Sequence, residues 1–129
     1  MAALRESAIT KLATVTGIDA KTVASTELFY VPTGKSLIVS HVVIRCTAFT
    51  VGSKSVQAIA SFGGNSATYD DYLNSVTYTI AAASVAIADS VFDTAVPVYA
   101  AATSFKIIIE TGSNATTETW AVDLFGYLV

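Results

Sequence analysis

The stretch Tyr30–Cys46, YVPTGKSLIVSHVVIRC, decides how the chain folds, because it joins the clearest turn signal to the longest apolar run. Proline presets φ near about −65° and glycine accepts positive φ, so Pro32-Thr33-Gly34 suits a tight turn. The β-branched run that follows reads as a strand, and the whole reads as a hairpin entering the core. The embedded word Thr33-Gly34-Lys35-Ser36 tempts a nucleotide-binding reading. A phosphate loop, however, needs Gly-x-x-x-x-Gly-Lys-Ser/Thr between a strand and a helix, so that backbone amides surround the phosphates. Here the first glycine position is Phe29, Pro32 lacks an amide, and the run after Ser36 favours strand over helix.

From Leu37 to Cys46, one face of the strand carries Ile38, Ser40, Val42, Ile44 and Cys46, and the other carries Leu37, Val39, His41, Val43 and Arg45. Both faces are apolar. His41 and Arg45 are harder to bury, so the even face is assigned to the core. Leu37, Val39 and Val43 are then expected to be covered by a terminal arm or another subunit.

Composition supports such cover. Charged residues form 13% of the 129-residue chain and hydrophobic ones 53%, against roughly 25% charged in ordinary soluble domains. Few charges are available to coat a surface, and monomers seldom expose large apolar patches, so an oligomer is expected. The net charge of −3 leaves no basic footprint for nucleic acid. No apolar run approaches the roughly 18 residues of a spanning helix, and the amino-terminal stretch lacks the pattern of a secretory signal, so neither a membrane role nor export is expected. The length suits one domain with its own core.

Residues 1 to about 13 place Leu4, Ala8 and Leu12 at four-residue spacing, which suits a short amphipathic helix or an arm that orders on a neighbour. The expected organisation is an arm over residues 1–20 and a β-domain over 21–129. Strand patterns follow over Thr22 to Val31, Ser55 to Phe62, and Val76 to Ile80. The Ala-rich run 81–88 reads as loop with a short strand. Pro97 marks an edge strand at Val96–Tyr99, because proline cannot donate to a ladder. Phe105, Ile107 and Ile109 alternate cleanly with polar residues, and Trp120, Val122 and Leu124 share one face of a closing strand whose alternation Gly126 is expected to shift. Many short strands and no long helix predict an all-β antiparallel sandwich of jelly-roll type, with a short N-terminal arm or helix.

Chemical signals are sparse. His41, the only histidine, sits mid-strand with no nucleophile-elbow pattern to aim a serine at it, so no catalytic residue is assigned. Asp70 and Asp71 with Asn65 lack the alternating carboxylates of a calcium loop, and Cys46 stands alone, so no metal or cofactor is expected. Cys46 reads as a small buried hydrophobe and Trp120 as core. The polar, aromatic loop Ser66–Asn74, with Tyr69, Asp70, Asp71 and Tyr72, is the candidate contact loop.

The segment TVTGIDAKTVASTELFYVPTGKSLIVSHVVIR, Thr14–Arg45, resembles small β-sandwich proteins of tailed-bacteriophage virions, in which a Thr/Val-rich strand, a Val-Pro-x-Gly-Lys turn and a Val/Ile-rich strand follow one another. The closing Asp123-Leu124-Phe125-Gly126-Tyr127-Leu128-Val129 is similar to the last strand of trimeric tumour-necrosis-factor-like jelly rolls, which lies near the threefold axis. The resemblance implies a capsid decoration, cement or knob subunit, made in the host cytoplasm and carried in the virion. Its expected partners are itself, as a homotrimer, and the major capsid protein. Subunit contacts would then fall on Leu37, Val39, Val43, Phe125 and Tyr127, and capsid docking on Leu4, Ile9 and Leu12 of the arm. A tail or fibre component that binds a receptor or glycan through the Tyr69–Tyr72 loop is the alternative.

Overall fold

The computed structural model describes residues 9–91 and 96–129. Its strands are β1 (Thr10–Asp19), β2 (Ser25–Tyr30), β3 (Leu37–Thr50), β4 (Ala58–Gly63), β5 (Leu73–Tyr78), β6 (Ala86–Asp89), β7 (Val98–Tyr99), β8 (Ser104–Thr111) and β9 (Thr117–Leu128). Two antiparallel sheets face each other: sheet A in the order β1-β9-β3-β6, with β7 also on β3, and sheet B in the order β2-β8-β4-β5. The pairs nest. β4 joins β5, β3 joins β6 and β7, β2 joins β8, and β1 joins β9, which is the folded ribbon of a jelly roll.

Alternation builds the core. Phe105, Ile107 and Ile109 of β8 and Trp120, Val122 and Leu124 of β9 point inward from opposite sheets and are buried. Two edge-to-face ring pairs, Tyr78–Trp120 and Tyr99–Phe105, tie the sheets together across the interior, and Phe62 packs edge-on against Tyr78 within sheet B.

Three expectations need correction. Pro32-Thr33-Gly34 is a turn, closed by Lys35 N–H donating to the Pro32 carbonyl, with Gly34 at φ 77°. It does not close a hairpin, because β2 belongs to sheet B and β3 to sheet A. The chain changes sheets there, as the nested pairing requires.

The second correction concerns the two faces of β3. Val39 pairs with Gly126 and His41 with Phe125, so Ser40 is an extra, bulged residue. A bulge inverts the parity of everything beyond it. Leu37 and Val39 therefore face the core with Val42, Ile44 and Cys46, and all five are buried within the chain. Leu37 and Val39 need no second subunit. The alternation of β9 runs unbroken through Gly126, so the irregularity expected in β9 lies in its partner. Gly126 has a different task, because a Cβ there would strike the Ile38 carbonyl.

Third, the expected arm is largely sheet. β1 pairs with β9 from Thr10 to Asp19, and Leu12 packs partly against the core. Leu4 lies outside the described residues, and Ile9 is half-exposed at the start of β1.

Candidate functional site

Two surfaces gather the residues singled out in the sequence, and they lie on opposite sheets. The first is the outer face of β3 and β9. Val98, Ile38 and Tyr127 are register partners across three neighbouring strands and so share one face. His41 and Phe125 form the next row, their rings stacked at 4.5 Å and within 7° of parallel. Val43 stands opposite Asp123, with Ala88 on its other side. Of the five expected subunit contacts, Val43, Phe125 and Tyr127 thus stand together on this face, half-buried, and Leu37 and Val39 do not. Val98 is 61% exposed at the margin.

An ion pair closes this surface at one end. Arg45 Nε and the Asp123 carboxylate lie 2.8 Å apart, a second Arg45 nitrogen reaches the other carboxylate oxygen at 3.1 Å, and Thr14 Oγ1 donates at 2.7 Å. Burial raises the Asp123 carboxyl, but the bonds from Arg45 and Thr14 and the charges of Arg45 and Lys11 outweigh it and hold the group below the usual carboxylate range. Arg45 is correspondingly raised by its hydrogen bond to Asp123.

The second surface is the loop between β4 and β5. Asn65 organises it: its side-chain oxygen accepts from the amides of Asp70 and Asp71, and its amide nitrogen donates to Thr68 and Asp70. Those bonds, with one from Thr68, pull the Asp70 carboxyl down. Asp71 accepts from the Gly64 amide at 3.0 Å and from the Tyr99 hydroxyl at 2.8 Å. Burial, then the carboxylate of Asp71, pushes the Tyr99 phenol far up. Both aspartates are committed to the loop's own architecture. Among the described residues no three His, Cys, Asp or Glu side chains gather so as to hold a metal ion.

The two tyrosines of this loop part company. Tyr72 is buried against Phe105 and its hydroxyl donates to the Ser40 carbonyl at 2.8 Å. A bulge releases backbone groups from the ladder, and Tyr72 satisfies one from across the core. It is a structural strut, and burial raises its phenol. Tyr69 stays at the surface, at φ 48°, with Lys106 Nζ 4.9 Å from its ring centroid and its hydroxyl on Ser66 at 3.3 Å. The bond to Ser66 lowers its phenol; burial opposes this, and Lys106 adds to the lowering.

One internal group escaped the sequence reading. Lys54 and Glu118 form a sealed ion pair at 2.8 Å; Lys54 also donates to the Ile80 carbonyl, and Trp120 Nε1 donates to Glu118 at 3.0 Å. Cys46 lies in the same interior, where burial and then the charge of Glu118 push its thiol up. Lys54 precedes the strand pattern that begins at Ser55 and nothing in its local sequence marks it as buried; only the spacing Glu118-x-Trp120 hints that a carboxylate follows the indole inward.

Comparison with known proteins yields no relative. No family model, no curated protein and no solved structure matches the chain. Geometry and physical chemistry therefore carry the functional reading.

Proposed function

We propose that this protein is a structural subunit of a bacteriophage virion, a capsid decoration, cement or knob protein that forms a homotrimer and binds the capsid shell. The observation that carries the reading is the outer face of β3 and β9, where Val98, Ile38, Tyr127, Phe125, His41 and Val43 form a largely apolar field on a pleated surface. A sandwich strand normally presents polar residues on its solvent side. Here that side is apolar, in a chain of only 13% charged residues. Covering it with copies of itself removes the patch from water and closes the assembly. The resemblance of Thr14–Arg45 to small virion sandwiches supplies the setting, and neither nucleic acid, membrane nor catalysis enters the proposal.

The capsid contact is assigned to residues 1–9, since Thr10 onward already serves β1. Electron microscopy of particles bearing the antibody-labelled chain tests the setting. Label on the capsid surface is the expected result, and label confined to the tail overturns it. Removing residues 1–8 should abolish capsid binding while leaving the trimer intact, and retained binding would refute the arm.

A further inference from the structure

We infer that the cleft between the Gly64–Tyr69 loop and the Ala102–Ser104 turn is a carbohydrate subsite for one or two neutral sugar rings, with Tyr69 as its stacking platform. The cleft measures about 340 Å³ and is lined by Gly64, Ser66, Tyr69, Ala102, Thr103 and Ser104. Small-molecule pockets begin at roughly 300 Å³, so its size suits a ligand of this scale.

The lining determines the class. Tyr69 is the one aromatic among the six, and Ser66, Thr103 and Ser104 bring hydroxyls. A pyranose has matching parts: a C–H face that packs on a ring whose face is electron-rich, and a belt of hydroxyls that donate and accept. None of the six carries a charge. Glu27 accepts from Ser104 Oγ at 2.5 Å, which directs the Ser104 hydrogen away and leaves its oxygen to accept from a ligand hydroxyl. Lys106 sits beside the cleft with its ammonium 4.9 Å from the Tyr69 ring centroid. A sulfated or phosphorylated ligand would meet the Glu27 carboxylate beside Ser104 and no cation among the six lining residues, which favours a neutral one.

A second aromatic stands beside the cleft. Tyr30, 55% exposed, stands opposite Ser104 in the β2–β8 ladder and on the same face. The site is also built in advance. Tyr69 at φ 48° and Ala102 at φ 67°, on the two walls, occupy a backbone region that residues other than glycine seldom adopt, and such strain concentrates where a surface is shaped for a ligand. Asn65 pins the Tyr69 wall through four hydrogen bonds of its side chain, so little ordering entropy remains to be lost on binding. The site lies on sheet B, opposite the proposed subunit face, and depends on neither the trimer nor the capsid contact.

The test uses the full-length, ¹⁵N-labelled protein with maltopentaose, cellopentaose and chitotetraose as probes, each at about 10 mM, enough to fill a site of millimolar affinity. At least one should move the amides of Gly64, Tyr69, Thr103 and Ser104 saturably. Tyr69→Ala should weaken that binding about tenfold or more, equivalent to about 1.4 kcal/mol. Ser104→Ala should weaken it severalfold, whereas Val51→Ser, in the exposed connection after β3, should leave it unchanged. If Tyr69→Ala disturbs amides throughout sheet B, Ser104→Ala decides the matter alone. The inference is overturned if none of the three probes moves these amides, or if the bound probe holds to the variants as tightly as to the native chain.

Discussion

The inner and outer faces of the β3–β9 ladder are built from similar materials and sit in different solvents. The inner face carries Leu37, Val39, Val42 and Ile44, with an ion pair, Lys54–Glu118, whose side chains are 4% and 0% exposed. The outer face carries Ile38, Val43, Phe125 and Tyr127, with an ion pair, Arg45–Asp123, at 41% and 10%. Composition does not tell the two apart; the Ser40 bulge and the cover supplied by sheet B do. Residues on the inner face should therefore be required for folding, and those on the outer face for assembly.

The largest effect should come from breaking the sealed pair. Glu118→Ala strands the Lys54 ammonium and the Trp120 indole N–H inside the core, and loss of one partner of a buried pair costs about 3–5 kcal/mol. Urea denaturation should report it. The double change Lys54→Met with Glu118→Leu should cost less than Glu118→Ala alone, because no charge is left behind. Next is Leu37→Ala, expected at about 2–5 kcal/mol by the same assay if the bulge points Leu37 inward. An effect near zero would return Leu37 to the surface.

Tyr72→Phe tests the strut beneath the bulge. Losing the hydroxyl removes the bond to the Ser40 carbonyl across the core and should cost about 1–3 kcal/mol, with shifts in the Val39–His41 amides as the local signature. The smallest effect belongs to the outer ion pair. Asp123→Asn should destabilise less than Tyr72→Phe at neutral pH, since Arg45, the partner of the buried carboxylate, is itself 41% exposed to screening solvent. The sign follows from the lowered carboxyl: the contribution is present above the carboxyl's unfolded range and is lost as pH falls through its folded value. Native and Asp123→Asn proteins should therefore converge in stability at acidic pH.

Much of the architecture was legible along the chain. The alternation of Phe105, Ile107 and Ile109, the inward set Trp120, Val122 and Leu124, and the edge position forced by Pro97 all follow from a period of two and the missing proline donor. What resisted reading was non-local. The Ser40 bulge exists only relative to β9, so nothing within LIVSHVVIRC shows where parity changes. The turn at Pro32-Thr33-Gly34 is legible in its residues, but whether it joins neighbours or switches sheets depends on β8 and β9, which lie far along the chain. Lys54 meets Glu118 across 64 positions. Tyr69 and Tyr72, three residues apart, looked equivalent until the loop placed one outside and the other beneath the bulge.

The most direct test of the central claim is the mass of the protein in solution, measured by sedimentation velocity for the native chain and for Val43→Asp combined with Tyr127→Asp. The native protein should sediment as a trimer, about three times the 13.4 kDa chain, and the variant as a folded monomer with the native circular dichroism. A native monomer, or a trimer that survives both charges, would contradict assembly through the outer face of β3 and β9.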